Sequence, residues 1–176
     1  GADLGWMRDA AGWSEADNRD DAMGLARMLK ALHDIPALTV AIVEGAAMGG
    51  GAGIVAACDM AVAVTGAKFA FSEVKLGLIP ATIAPYVIEA VGPRTARALF
   101  LTGNTMDADY AAQVGLIDMV LPDAASIDTF VTMLSDSLRA NAPGAMGESK
   151  RLVNDVSDEG REGVTAFLDK RKPTWV

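Results

Sequence analysis

A glycine-rich turn is the part of this sequence whose chemistry is easiest to name. Five of the nine residues from Gly45 to Gly53 are glycine. The turn follows Leu38–Val43, an apolar, β-branched run of the kind that forms a buried strand. Glycine lets the backbone come close to a ligand because it has no Cβ. If a helix begins here, its first N–H groups would stabilise a phosphate or a developing oxyanion.

Motif spacing weakens the phosphate alternatives. A P-loop needs Lys followed by Ser or Thr after its glycines, and the sequence has neither there. A dinucleotide fingerprint matches only formally, through Gly51, Gly53 and Ala56 in the last position. Tight packing of a helix on a strand would also explain the glycines, so the turn alone leaves its use open.

One acidic residue downstream is the strongest candidate for proton transfer. Glu73 opens the loop Glu73–Pro80, in apolar surroundings, directly after the predicted strand Lys68–Ser72. A solvated loop carboxylate is the alternative, but carboxylates in such settings cluster at functional sites, which favours catalysis. Glu44, just before the glycine turn, and Asp59, after the small helix that follows it, are expected to be structural.

Composition excludes several classes of protein. With 176 residues the chain is expected to be one domain, and its net charge of -8 argues against nucleic acid. No apolar run approaches the roughly 20 residues that span a bilayer, so we expect no membrane segment and a cytoplasmic protein. A single Cys58 excludes an intrachain disulfide, and a single His33 without a Cys/His cluster argues against a metal site.

The predicted elements alternate in the manner of an α/β fold. The segment from Leu38 to Val64 has the strand, turn, helix, strand order of a parallel crossover unit, and its second strand is predicted at Met60–Val64. Further strands are predicted at Lys68–Ser72 and Leu116–Leu121. Helices are predicted at Asp20–His33, Ile54–Cys58, Thr82–Val91, Pro93–Leu101, Ala108–Val114, Ser126–Ala140, Pro143–Val156 and Glu159–Lys170.

Six segments follow one another in a fixed order. They are Gly1–Leu4, Val43–Gly51 (V-x-G-x-A-x-G-G-G), Ala56–Asp59, Phe69–Pro80 (F-x-x-x-E-x-x-x-G-x-x-P), Leu101–Gly103 and Ala111–Ile117. In this order they resemble the motifs of the enoyl-CoA hydratase/isomerase (crotonase) family. Within it, Ser72–Pro85 and the ending Glu159–Trp175 are most similar to the methylglutaconyl-CoA and isohexenylglutaconyl-CoA hydratase branch.

The resemblance implies an α/β fold with two parts. Residues 1–121 would form the crotonase-like ββα spiral core, and residues 122–176 a C-terminal helical trimerisation segment. The family carries strands before its first motif and a helix between the equivalents of Val156 and Ser157, and this sequence has neither. By this interpretation the N-terminal strands of the spiral are missing from the chain.

The resemblance also implies a mechanism. The family holds an acyl-CoA thioester carbonyl between two backbone N–H groups, which fall here on Ala2 and Gly50. Glu73 matches the second of two catalytic glutamates, whereas the first falls on Gly53, which cannot transfer a proton. A hydratase (a lyase) acting on short or branched enoyl-CoA is the leading interpretation. An enoyl-CoA isomerase with one glutamate and a noncatalytic acyl-CoA-binding homologue stay open.

Substrate contacts follow from the same resemblance. Gly49 and Gly53 would border the substrate, the acyl chain would contact Met7, Ile83 and Tyr86, and the CoA phosphates would approach Lys170 and Lys172. Core packing for the first group and a charged helix end for the second are the alternatives. No cofactor is expected, because coenzyme A enters as part of the substrate. The expected assembly is a homotrimer or a dimer of trimers, in fatty acid or branched-chain amino acid metabolism.

Overall fold

The described residues form an α/β structure with two small sheets. The computed structural model describes residues 4–10, 12–168 and 170–172. The strands are β1 Val40–Val43, β2 Ala46–Met48, β3 Met60–Val64, β4 Lys68–Ala70, β5 Met106–Asp107 and β6 Met119–Leu121. The helices are α1 Leu4–Ala10, α2 Glu15–His33, α3 Gly50–Ala57, α4 Ala84–Thr102, α5 Ala108–Gln113, α6 Ala124–Leu138 and α7 Pro143–Leu168, with a 3₁₀ turn at Glu73–Leu76, called the Glu73 turn below.

The first four strands alternate between the two sheets. The first sheet has the order β1-β3-β6 with all strands parallel, and the second has the order β2-β4-β5. In the second sheet β2 and β4 are parallel, whereas β5 runs antiparallel to β4. The two repeats β1-β2-α3 and β3-β4-α4 therefore each add one strand to each sheet, which confirms the predicted ββα spiral.

The glycine run contains more regular structure than the sequence predicts. Ala46–Met48 form β2, which pairs with β4 from Ala46↔Lys68 to Met48↔Ala70. The helix α3 begins at Gly50, not at Ile54 as predicted. Alanine has little tendency to form strands, so β2 exists because β4 supplies its hydrogen-bonding partners. The prediction of a continuous turn from Gly45 to Gly53 is therefore wrong.

The observed start of α2 also differs from the predicted one, because a capping motif and not an apolar pattern marks it. The helix begins at Glu15, five residues before the predicted Asp20. The backbone N–H of Asp17 donates to Ser14 Oγ at 3.2 Å, and the Ser14 N–H donates to the Asp17 carboxylate at 3.4 Å. This reciprocal capping box satisfies N–H groups that the first helical turn leaves without partners.

One pair of predicted helices keeps its boundary in the structure, and another pair is joined. α4 runs from Ala84 to Thr102, and a non-helical Gly92 (φ 74°, ψ 159°) separates its halves at the predicted boundary. α7 is continuous from Pro143 to Leu168, where two helices are predicted. The predicted break at Ser157 and Asp158 contains neither glycine nor proline, so no residue there ends the helix.

The core lies around α3, which packs against both α2 and α4. The largest fully buried side chains are Phe69, Phe71, Leu29, Ile83, Val62 and Val87. They come from α2, the two sheets and the start of α4, so α3 is held on several sides. In the described part of the chain, no helix combines the length and apolar character that a membrane span requires.

Candidate active site

The glycine turn and Glu73 meet because they follow neighbouring parallel strands. β2 pairs with β4 in parallel, with Met48 opposite Ala70, so both strands end at the same edge of the sheet. Gly49 follows the first strand, and its N–H donates to the Ala70 carbonyl at 2.8 Å. The edge at the carboxyl ends of parallel strands is where ligands bind in α/β proteins. The structure thus brings Glu73 to the start of α3, as the sequence predicts.

The backbone around Glu73 is fixed on both sides. Upstream, Phe71 is buried and its ring meets that of Phe100 edge-on, with 5.4 Å between centroids. Downstream, the N–H of Leu78 donates to the Glu73 carbonyl at 3.0 Å. The side chain therefore projects from a rigid turn, which is what a proton-transfer group requires for reproducible geometry.

The Glu73 carboxylate has one oxygen without a partner. Oε2 is buried and accepts no hydrogen bond from the described residues. Oε1 lies towards Gly49, where a Cβ would come within 3.1 Å of it. A buried polar atom without a hydrogen bond costs free energy, and such exceptions in folded proteins point to a functional role. Glu73 is therefore the strongest candidate for proton transfer among the described side chains.

Gly50 has the geometry of a backbone donor. It is the first residue of α3, so no carbonyl of the helix accepts its N–H, and the positive end of the helix dipole lies there. A Cβ built on Gly50 meets no atom within 4 Å, so the space beside it is open. Its predicted partner Ala2 lies outside the described residues. The two-donor oxyanion hole stays a prediction.

Gly53 faces a side chain and not open space. It is buried in α3, and a Cβ there would lie 2.2 Å from Cγ2 of Ile83 and 2.6 Å from its Cβ. Ile83 is itself only 1% exposed. Glycine is therefore required at this position by the close approach of Ile83, and the place that a second glutamate would occupy is filled by an apolar side chain.

The remaining predicted site residues are dispersed. Tyr86 packs against His33, with 5.3 Å between ring centroids, and burial raises the pKa of its phenol above the usual 10.0. Met7 lies in α1, but its side chain is outside the described part. Lys170 and Lys172 are exposed after the end of α7. The roles of these residues in binding acyl and CoA groups stay predictions.

A second polar cluster lies just beyond the C-terminal end of α3. Asp59 Oδ2 accepts hydrogen bonds from the Thr39 N–H at 2.7 Å and from Thr39 Oγ1 at 2.8 Å. It also accepts one from Lys150 Nζ at 2.8 Å. The predicted structural role of Asp59 agrees with this network. Lys150 was missed, because it lies 91 residues away in sequence and no local pattern connects the two.

A cavity of about 880 Å³ adjoins this second cluster. Its walls include Cys58, Asp59 and Lys150, whereas Gly49, Gly50, Gly53, Glu73 and Ile83 do not line it. Burial raises the pKa of the Cys58 thiol above its usual 9.0, and a hydrogen bond with Thr39 opposes the shift. No cluster of acidic, His and Cys side chains that could hold a metal is present among the described residues. We therefore place the candidate active site by its chemistry, at the N-terminal end of α3.

The sequence and the fold match one family of acyl-CoA enzymes. A sequence profile of the enoyl-CoA hydratase/isomerase family matches residues 1–159. The chain belongs to the enoyl-CoA hydratase/isomerase (crotonase) family. A crystal structure of an enoyl-CoA hydratase from Shewanella pealeana superposes with a TM-score of 0.85 at 37% identity, covering 99% of this chain and 73% of that one.

Curated relatives carry the same names. Enoyl-CoA isomerase/hydratase fer4 of Mycosarcoma maydis is 32% identical over 201 residues, which cover 99% of this chain and 71% of that protein. Enoyl-CoA hydratase AFT6-1 of Alternaria alternata is 34% identical over 78% of this chain, which spans only 46% of the length of that protein. The alignment with fer4 is longer than the 176 residues of this chain, so fer4 contains insertions relative to it.

Proposed function

We propose that this chain adds water to the double bond of an enoyl-CoA thioester, with Glu73 as its proton-transfer group. The observation that carries the proposal is the buried Glu73 Oε2, which has no partner among the described residues and lies where α3 begins. Family membership supports the reaction class, and the hydratase names of its relatives support water as the second reactant.

The N-terminal end of α3 suits the charge that this reaction develops. The thioester carbonyl oxygen would accept the Gly50 N–H, with the Ala2 N–H as the second donor. Addition of water at the far carbon of the double bond places negative charge on that oxygen, and the positive end of the helix dipole stabilises it. One such donor is typically worth about 3 kcal/mol in the transition state. Glu73 would take a proton from the water and return one to the carbon next to the carbonyl.

The substrate class within the family is a finer proposal. The similarity of Ser72–Pro85 to the methylglutaconyl-CoA hydratase branch supports a short or branched acyl group. Lys170 and Lys172 are exposed cations in the described part of the C-terminus, which suits contact with CoA phosphates. In the proposed assembly, a homotrimer or a dimer of trimers, these contacts could be made within one subunit or between neighbours.

Double-bond isomerisation is the second candidate, and one observation favours it. Ile83 fills the place beside Gly53, so a second carboxylate has no room there. A single carboxylate is enough to remove a proton from one carbon and return it to another, without water. The relative fer4 is named for both activities.

Two substrates separate these functions. A 2-enoyl-CoA loses its conjugated absorbance on hydration, whereas a 3-enoyl-CoA gains that absorbance on isomerisation. We expect the purified chain to act on the first, and Glu73→Gln to remove this activity while the exposed Glu44→Gln leaves it unchanged. Activity on the 3-enoyl-CoA alone would establish the isomerase, and binding of both esters without turnover would establish a noncatalytic acyl-CoA-binding protein.

A further inference from the structure

Two glycines at the start of α3 are each covered by a side chain from another segment. Gly49 precedes α3 and meets Glu73, and Gly53 lies one turn further on and meets Ile83. The Gly53 N–H donates to the Gly49 carbonyl at 3.0 Å, so both positions belong to one hydrogen-bonded turn. The carboxylate of Glu73 therefore rests on the backbone of this turn.

The backbone of Gly49 is fully engaged in the fold. Its N–H donates to the Ala70 carbonyl, and its own carbonyl accepts the Gly53 N–H. Gly49 thus has no free N–H for a substrate carbonyl, so the predicted substrate contact would not use that group. Its φ of +52° with ψ of -117° is a conformation that residues with a side chain rarely adopt.

The close approach of Glu73 also favours glycine at position 49, in addition to the backbone conformation. A Cβ at position 49 would lie 3.1 Å from Oε1 and 3.7 Å from Cδ of Glu73, closer to Oε1 than ordinary van der Waals contact. We infer that Gly49 is a positioning residue for Glu73, since the missing side chain sets how closely the carboxylate approaches the start of α3. The inference rests on the proposed proton-transfer role of Glu73.

A Cβ at position 49 would push the carboxylate away from the N-terminal end of α3 by a few tenths of an ångström. Since a misplacement of about 1 Å at a reacting group can cost on the order of 10²-fold in rate, this smaller shift should cost about 10-fold. The Gly50 N–H would be left in place, so substrate binding should change less than turnover. Gly49 therefore acts on kcat through Glu73 and not through the oxyanion donor.

The test is Gly49→Ala, with Gly92→Ala as its matched control. Gly92 also has a positive φ (74°), but a Cβ there meets no atom within 4 Å. Both variants carry backbone strain, and only the first meets a carboxylate. We expect kcat of Gly49→Ala to fall about 10-fold with KM within a few-fold of wild type, and Gly92→Ala to keep its kcat. Equal kcat values for the two variants would overturn the inference.

A double-variant cycle separates a positioning role from a general structural one. In the Glu73→Gln background, Gly49→Ala should cause little further loss of kcat, because the group that it displaces no longer transfers protons. Losses that multiply in the double variant would contradict the inference. If Glu73→Gln by itself keeps full activity, the proposed function fails. If Glu73→Gln is inactive but Gly49→Ala is fully active, only the positioning role of Gly49 fails.

Folding failure would also be decisive. If Gly49→Ala does not fold, the variant Gly49→Ala/Glu73→Ala removes the carboxylate that the new Cβ would meet. Recovery of the wild-type circular dichroism spectrum in the double variant would support the contact with Glu73. Persistent misfolding would show that the φ and ψ of Gly49 alone require glycine, and the inference would be wrong.

Discussion

A carboxylate lies near each end of α3, and the two carboxylates differ in the hydrogen bonds that their oxygens accept. At the N-terminal end, Glu73 Oε2 is buried without a hydrogen bond from the described residues. Beyond the C-terminal end, Asp59 Oδ2 accepts from the N–H and hydroxyl of Thr39 and from Lys150 Nζ. A carboxylate oxygen that accepts several hydrogen bonds holds the donor segments together. A buried carboxylate oxygen that accepts none is available to react.

A cavity also distinguishes the two ends of α3. The cavity of about 880 Å³ lies at the Asp59 end, where the polar groups already satisfy one another. The Glu73 end combines the positive end of a helix dipole with an unpaired acceptor. Four experiments, given from the largest to the smallest expected effect, test this contrast.

Removing the charge of Glu73 should separate activity from stability. We expect Glu73→Gln to reduce turnover by about 10²-fold or more, because the amide keeps the shape and cannot transfer a proton. The thermal midpoint should stay close to that of wild type, since the variant keeps the size of the side chain and breaks no hydrogen bond to Oε2. Steady-state kinetics and calorimetry check the two halves. A variant that keeps more than about a tenth of the activity would exclude Glu73 as the acid or base.

Adding a side chain at Gly53 should destabilise the packing of α3 against Ile83. Gly53→Ala places a Cβ 2.2 Å from the stiff, buried side chain of Ile83, and we expect a loss of about 3 kcal/mol in the free energy of unfolding. Gly50→Ala, where the same addition meets open space, is the control for stability. In Gly53→Ala/Ile83→Ala the two losses should be less than additive. Similar denaturation midpoints for Gly53→Ala and Gly50→Ala would contradict the contact.

Breaking the Asp59 network should affect stability. The side chains of Lys150 and Asp59 are only 13% and 22% exposed, so Lys150→Met leaves a partly buried carboxylate without its cation. We expect a loss of about 2 kcal/mol, less than for a fully buried pair. Arg151→Met, one residue further on, breaks two exposed pairs, with Glu148 and Asp155, and should leave the unfolding midpoint unchanged. Loss of activity in Lys150→Met without loss of stability would reverse the assignment of the two ends.

The smallest effect should be a pH dependence at Cys58. Burial raises the pKa of this thiol above 9.0, so above that pH the unfolded chain releases the proton before the folded chain does. The free energy of unfolding should therefore fall as pH rises past about 9, and fall less steeply in Cys58→Ala. Denaturant titrations of both proteins between neutral and alkaline pH measure the difference. Parallel pH profiles would show that burial of the thiol has no energetic consequence.

Local patterns predicted the elements that carry their own signals. The strand Met60–Val64 is predicted with its observed limits, because an apolar run is enough to indicate it. The resemblance carried by the six ordered segments implies both the crotonase-like fold and a site shared by Glu73 and the glycine turn.

Features that depend on distant contacts were not predictable in this way. β2 is an alanine-rich segment whose strand conformation depends on pairing with β4. Position 53 requires glycine because Ile83 packs against it, and Asp59 pairs with Lys150. In both cases the two residues are too far apart in sequence for a local pattern to connect them. The start of α2 could have been found, since Ser14 and Asp17 have the spacing of a capping box.

The different sequence separations of the contacts have a consequence for the order of folding. Contacts between residues far apart in sequence form slowly, because the entropy of closing the intervening loop is lost before the contact stabilises the chain. Thr39 and Asp59 are 20 residues apart, whereas Ala61 reaches Asp118 across 57 residues and Asp59 reaches Lys150 across 91. The unit from β1 to the Glu73 turn, which contains Gly50 and Glu73 of the proposed site, should therefore assemble early. The ion pair that secures the opposite end should form last.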